Sequence, residues 1–257
     1  MYRSGRGFLS QMPPVTKNLI IINVLVWLVE VIFPTFGHNG IIRHLGLHYV
    51  GASDFNPAQV LTYMFVHDQK SMFHIFFNMF TLFFFGPMLE RVWGSKRFFI
   101  YYMICGIGAA LIQEGVWALT WENEYFQILA SQNHIGVETI RQEVERLIAS
   151  GDTSWINNMD AFKSLSMVTV GASGAIFGLL LGFAFVFPNM PLYLFFIPIP
   201  IKAKYMVAGY AVIEFFFGVT QTMNTVAHFA HLGGMLFGLA ILLYWKHKGT
   251  LNGQRFY

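Results

Sequence analysis

Residues 227–245 read AHFAHLGGMLFGLAILLYW. The stretch carries no Asp, Glu, Lys or Arg. A helix crosses the bilayer core with about 20 mainly apolar residues, so this is a membrane span. Gly234 and Gly238 are four residues apart, a spacing that lets a second helix approach to backbone contact. His231 lies on nearly the same face, three residues before Gly234. Polar residues inside a span are costly and mark function by default.

The rest of the chain agrees with a membrane setting. Of 257 residues, 55% are hydrophobic and 11% charged, against roughly 25% charged in ordinary soluble domains. Twenty-eight Phe stand beside 16 Lys+Arg and 13 Asp+Glu, and the mean hydropathy is +0.52. So few charges cannot cover a water-soluble globule of this size. A cytosolic enzyme, a nucleic-acid binder and a disordered chain are excluded on that ground. A single cysteine, Cys105, excludes a disulfide framework and a cysteine-based zinc site.

Six apolar segments are long enough to be spans: 18–36, about 72–92, 98–119, 168 to just before Pro188, 205–220 and about 227–245. The fold class expected is all-α, a polytopic six-helix membrane bundle. The first segment lacks a small-x-small cleavage site and further spans follow it, so it reads as a retained helix. The segmentation predicts a cytoplasmic N-terminal stretch (1–16), a membrane domain (17–246) and a cytoplasmic tail (247–257). Eleven Lys and Arg fall on the side of the termini: Arg3, Arg6, Lys17, Arg91, Lys96, Arg97, Lys202, Lys204, Lys246, Lys248 and Arg255. Five fall on the other: Arg43, Lys70, Arg141, Arg146 and Lys163. The positive-inside rule puts both termini in the cytoplasm.

Two outer loops are long. The first, about 37–71, holds Val60, Leu61, Tyr63, Met64 and Phe65. It is too apolar for a solvated linker and reads as structured and partly embedded. The third, about 120–166, is an insertion that looks soluble. Val137, Ile140, Val144, Leu147 and Ile148 share one helical face there. From Glu114 to Lys163 the charge is −5. A solvated amphipathic helix on the mouth of the bundle is the plainer reading, and a docking helix the sharper one. No internal repeat is visible, which weakens a transporter reading.

Three polar sets fall at the outer ends of their segments. Gly171-Ala172-Ser173-Gly174 opens the fourth, with Gly178 and Gly182 continuing the stripe. His228 and His231 open the sixth. His74 and Asn78 lie four apart in the second. Each set alone also suits helix packing. Together, at equal depth, they form a nucleophile, a base and neutral donors for an oxyanion. No intramembrane aspartate lies near them, so a Ser-His dyad is the expectation. His228 and His231 are spaced like a metal pair, but no third ligand matches them in sequence and a catalytic zinc takes three. No metal and no organic cofactor is expected.

The chain resembles the rhomboid intramembrane serine proteases over roughly 14–245. The matching stretches are His74-x-x-x-Asn78 with Gly86-Pro-Met-Leu-Glu90-Arg91-Val-Trp-Gly94, Gly171-Ala-Ser173-Gly174, and Ala230-His231-Leu-Gly-Gly234-x-x-x-Gly238. The resemblance implies Ser173 as nucleophile and His231 as base. It implies His74, Asn78 and the Ser173 N–H as the oxyanion hole. Gly171, Gly174, Phe177, Gly234 and Gly238 would support the site. Phe177 stands where many relatives place a Tyr that stacks on the histidine, and the Trp-Arg pair some relatives carry in the first loop is missing. The resemblance further implies cleavage of transmembrane protein substrates near their outer ends. Entry would pass the fifth helix, lined by Phe215, Phe216 and Phe217.

Plainer roles are expected elsewhere. Glu90 and Arg91 suit a structural ion pair or a backbone cap. Glu30 and Glu214 suit interhelical hydrogen bonds. His38, His44, His48 and His67 read as satisfied loop histidines, and Trp93, Trp117 and Trp245 as interfacial anchors. The expectation is an integral protein of a bacterial inner membrane, with lipid and membrane-protein partners and no nucleic acid. A silent pseudoprotease that binds transmembrane segments is the alternative. A small transporter using Glu30, Glu214 and the histidines comes third.

Overall fold

The computed structural model describes residues 11–34, 40–69, 71–193, 199–220 and 227–251. Arg3, Arg6, His38, Lys70, Arg255, the end of the first span at Phe36 and most of both terminal stretches lie outside the described residues.

Helix α1 (Pro14–Ile32) begins with proline, whose missing N–H costs nothing at a helix start. The next N–H groups have no partner within the helix. Val15 and Thr16 donate theirs to the Glu90 carboxylate at 2.9 and 2.7 Å, and the Thr16 hydroxyl adds a 2.7 Å bond. Glu90 sits in the last turn of α4 (Met72–Trp93) and also accepts from Ser95. It is therefore the cap of α1 and ties that helix to α4. Arg91 instead donates to the Gln11 carbonyl.

After Gly94 the chain enters α5 (Ser95–Asn133), 39 residues long. At 1.5 Å per residue this is about 58 Å, nearly twice the bilayer core. The third segment was expected to stop near Leu119. Residues 120–133 contain neither Gly nor Pro, and the helix runs on until His134 turns left-handed (φ 55°) ahead of Gly136. Helices α6 (Val137–Ala149) and α7 (Ser154–Ser166) fold back on this overhang. Tyr125, Phe126 and Ala130 of α5, Ile140 and Val144 of α6 and Met159 of α7 form a second, smaller core. Of the expected α6 face, Ile148 is exposed. The Arg141 guanidinium covers the Phe126 ring at 4.4 Å. The soluble-looking insertion is thus a three-helix cap.

The first loop is structured, with α2 (Gly40–Leu45), β1 (Leu47–His48), α3 (Gln59–Thr62) and a 3-10 turn over Tyr63–Phe65. β1 pairs antiparallel with β2 (Val168–Thr169), Leu47 opposite Thr169 and His48 opposite Val168. The Ser53 N–H and hydroxyl both donate to Asp160 of α7, at 2.9 and 2.6 Å. Those bonds hold the Asp160 carboxyl below its usual range. The all-α expectation is therefore incomplete. The fourth segment is extended at 168–169, and α8 (Ser173–Val186) begins only at the serine. A second short pair, β3 (Pro191–Tyr193) with β4 (Pro200–Lys202), precedes α9 (Ala203–Thr220) and α10 (His228–His247).

Among the described residues, α1, α4, α5 and α10 are long and apolar enough to cross a membrane. α8 and α9, at 14 and 18 residues, occupy the places of the fourth and fifth expected spans. The core lies where α5, α8 and α10 meet, with Phe98, Tyr101, Cys105, Leu179, Phe183 and Leu242 fully buried. Apolar side chains such as Leu25, Phe73, Phe76 and Val212 are exposed, a surface suited to lipid. Trp93 and Trp117 are buried rather than interfacial, and Trp93 packs its ring against Tyr101 and Trp245.

Candidate active site

The backbone places the serine first. The Gly171 N–H donates to the Tyr63 carbonyl at 3.0 Å, and Gly171 takes φ 120°, open only to glycine without strain. A β-carbon there would sit 2.7 Å from His74 Nε2. Two residues later Ser173 opens α8, so its backbone N–H belongs to the helix's unpaired first turn.

The second placement comes from α10. A β-carbon on Gly234 would overlap the Gly174 carbonyl oxygen, and one on Gly238 would meet the Tyr101 hydroxyl. α8 and α10 therefore touch backbone to backbone, and His231, one turn earlier, reaches Ser173. His231 Nε2 lies 2.8 Å from Ser173 Oγ. Phe177, one turn into α8, stacks on the imidazole with centroids 4.2 Å apart and planes 5° apart.

His231 Nδ1 lies 3.0 Å from Glu214 Oε2. A carboxylate only accepts, so Nδ1 carries the proton and Nε2 is the acceptor for the serine hydroxyl. The same Oε2 takes His228 Nδ1 at 2.7 Å. All three side chains are shielded from water. The dyad expected from sequence thus has an acid behind it. A glutamate on α9 is a poor match to a search for a nearby aspartate, and only the packing of α9 beside α10 brings 214 to 231. Glu214, His228 and His231 offer one oxygen and two nitrogens within 4.8 Å of one another, so they could also hold a metal ion. That supplies the third ligand the sequence pattern lacked.

His74 is near the start of α4. Its Nδ1 accepts the Asp68 N–H at 3.3 Å, which leaves Nε2 as the N–H donor on the side of Gly171. Asn78, one turn on, gives one amide hydrogen to the His74 carbonyl at 3.0 Å. Its second remains available. Both line the same 1090 Å³ cavity as Ser173, His231 and Tyr210. Phe215 and Phe216 are exposed on α9, and Phe217 packs toward His228.

His67 is a further surprise. It was expected to be a satisfied loop histidine. It is wholly buried, edge-on to His74 at 5.2 Å, and neither ring nitrogen has a partner among the described residues. Burial pushes its imidazole down to about 3. Its backbone N–H donates to Glu30 of α1 at 3.3 Å. His48 is also buried, with its Nδ1 3.2 Å from the Gly46 carbonyl.

The family model for the Rhomboid domain matches residues 55–121 and 147–247. The unmatched interval, 122–146, covers the α5 overhang and most of α6, so the cap interrupts the family pattern. No curated protein matches the chain. The match takes in α4, α8, α9 and α10, which carry every side chain of this cavity named above, and with the apolar helices it makes the chain an integral membrane protein that belongs to the rhomboid family.

Proposed function

We propose that this protein is an intramembrane serine endopeptidase that cleaves transmembrane segments of other membrane proteins near their outer ends. The observation that carries the reading is the 2.8 Å contact of Ser173 Oγ with His231 Nε2, in the tautomer a base needs. Ser173 Oγ attacks the scissile carbonyl carbon while His231 Nε2 takes its proton. The carbonyl oxygen becomes an oxyanion, held by the His74 Nε2–H, the Asn78 amide and the Ser173 N–H. The C–N bond then breaks, and His231 returns the proton to the leaving amine. Water attacks the acyl ester with His231 again as base, which frees the acid and restores Ser173.

The length of α8 supports an intramembrane site. Fourteen residues rise about 21 Å, less than the ~30 Å core. With the Val186 end at one interface, Ser173 sits below the other. The proposed setting is a membrane of the bacterial inner type, with both termini cytoplasmic, an orientation favoured by the split of basic residues.

The test is fluorophosphonate labelling of the purified protein beside Ser173→Ala and His231→Ala, paired with cleavage of a model transmembrane substrate. Labelling and cleavage by wild type and neither variant is the expected result. A folded wild type that does neither would leave the silent segment-binding reading in its place.

A further inference from the structure

We propose that Glu214 completes a Ser173–His231–Glu214 triad as a positioning residue, supplied by α9 while the nucleophile and base come from α8 and α10. The proposal rests on the serine-protease reading above.

The geometry is that of an orienting acid. Oε2 of Glu214 lies 3.0 Å from His231 Nδ1, on the side of the ring opposite Ser173. An acid there holds the productive tautomer and stabilises the imidazolium that forms when the serine proton arrives. The ring is otherwise fixed by the Phe177 stack, which restrains its plane and leaves rotation within that plane to the hydrogen bonds. A charge in a shielded place needs more than one donor. His228 Nδ1 supplies the second, at 2.7 Å to the same oxygen. His228 is thus the partner that holds the acid, as the acid holds the base.

The acid's origin has a consequence. In α9 only Ala203 and Val207, near its start, are buried. Toward its end Val212, Phe215, Phe216 and Val219 are exposed. Glu214 supplies the hydrogen bonds that tie this outer half to α10, beside the packing of Phe217 toward His228. A displacement of α9 away from α10 would take the acid with it and remove the bond that orients His231. Seating of α9 therefore sets the competence of the base.

The same three side chains could take a metal, but each hydrogen bond already satisfies the atom a metal would use, and a cation would displace both imidazole protons. The experiment separates the two.

The rate of fluorophosphonate labelling of Ser173 is measured in full-length protein for wild type, Glu214→Gln and Glu214→Asp, with and without chelator. Glu214→Gln is expected to lose about 10²–10⁴-fold in rate, Glu214→Asp to recover part of it, and chelator to change nothing. In a Ser173→Ala background, the downfield His231 Nδ1–H proton resonance should be present with Glu214 and shifted or lost with Gln. This reading decides the matter if Glu214→Gln labels poorly through misfolding, because the resonance of the folded parent reports the bond directly. Equal labelling of Glu214→Gln and wild type overturns the triad and leaves the Ser-His reading standing. Loss of labelling on chelation, restored by zinc, overturns it in favour of a metal site. A wild type that never labels removes the protease reading and the triad together.

Discussion

Phe177 lies face to face with His231, their centroids 4.2 Å apart and their planes 5° from parallel. The ring restrains the imidazole and leaves the hydrogen bonds of its two nitrogens in place. Such a pair contributes about 0.5–1.5 kcal/mol beyond burial. Phe177→Leu is therefore expected to slow labelling of Ser173 about 3- to 10-fold, with Phe177→Tyr close to wild type. Unchanged labelling in the Leu variant would mean that the stack does not restrain His231.

Gly234 meets the Gly174 carbonyl so closely that no β-carbon fits. Gly234→Ala must push α10 away from α8. The expected cost is about 1–3 kcal/mol, read as a lower thermal midpoint in detergent. The displacement also lengthens the Ser173–His231 contact, so labelling should fall in the fraction that remains folded.

His67 gives a pH signature. Its imidazole is held down to about 3 in the fold, against about 6.5 when unfolded. Below pH 6.5 the unfolded chain takes up a proton that the folded chain does not. The native state is therefore fully favoured above pH 6.5 and loses stability as pH falls from there toward 3. At pH 5 the expected loss is about 2 kcal/mol. Denaturation curves of wild type and His67→Phe across that window should diverge. Parallel curves would show that His67 is hydrated.

Glu90 accepts two backbone N–H groups and two hydroxyls, which joins α1 to α4 away from the candidate site. Glu90→Ala leaves the buried Thr16 N–H and hydroxyl unmet, together with two part-buried donors, and should cost about 2–4 kcal/mol. Its labelling rate per folded molecule should match wild type. Slower labelling by fully folded protein would place α1 in communication with the cavity.

Ser173 and His231 were legible together because glycine spacing reports close helix contact, and both residues fall on the faces that touch. The α4 span was legible from its unbroken apolar run. Glu214 was not read as part of the site. Its distance to His231 depends on how two helices return on each other, and a lone acid in a span suits any interhelical bond. The start of α8 is hidden in the sequence because Val168 and Thr169 continue the run into the apolar segment, while their strand partners lie 120 and 122 residues earlier in the chain. His67 looked like a loop residue, since burial of a loop is set by what packs over it.

The short ladder between β1 and β2 joins three parts of the molecule. On one side is the first loop, which Ser53 clasps to Asp160 of the cap. On the other is the run from Ser166, the last residue of α7, to Ser173. Anything that grips the cap therefore pulls on the tether of Ser173, and does so without entering the cavity. The cap is a handle: an antibody or a neighbouring protein on α6 or α7 acts on Ser173 through the short run that joins α7 to α8.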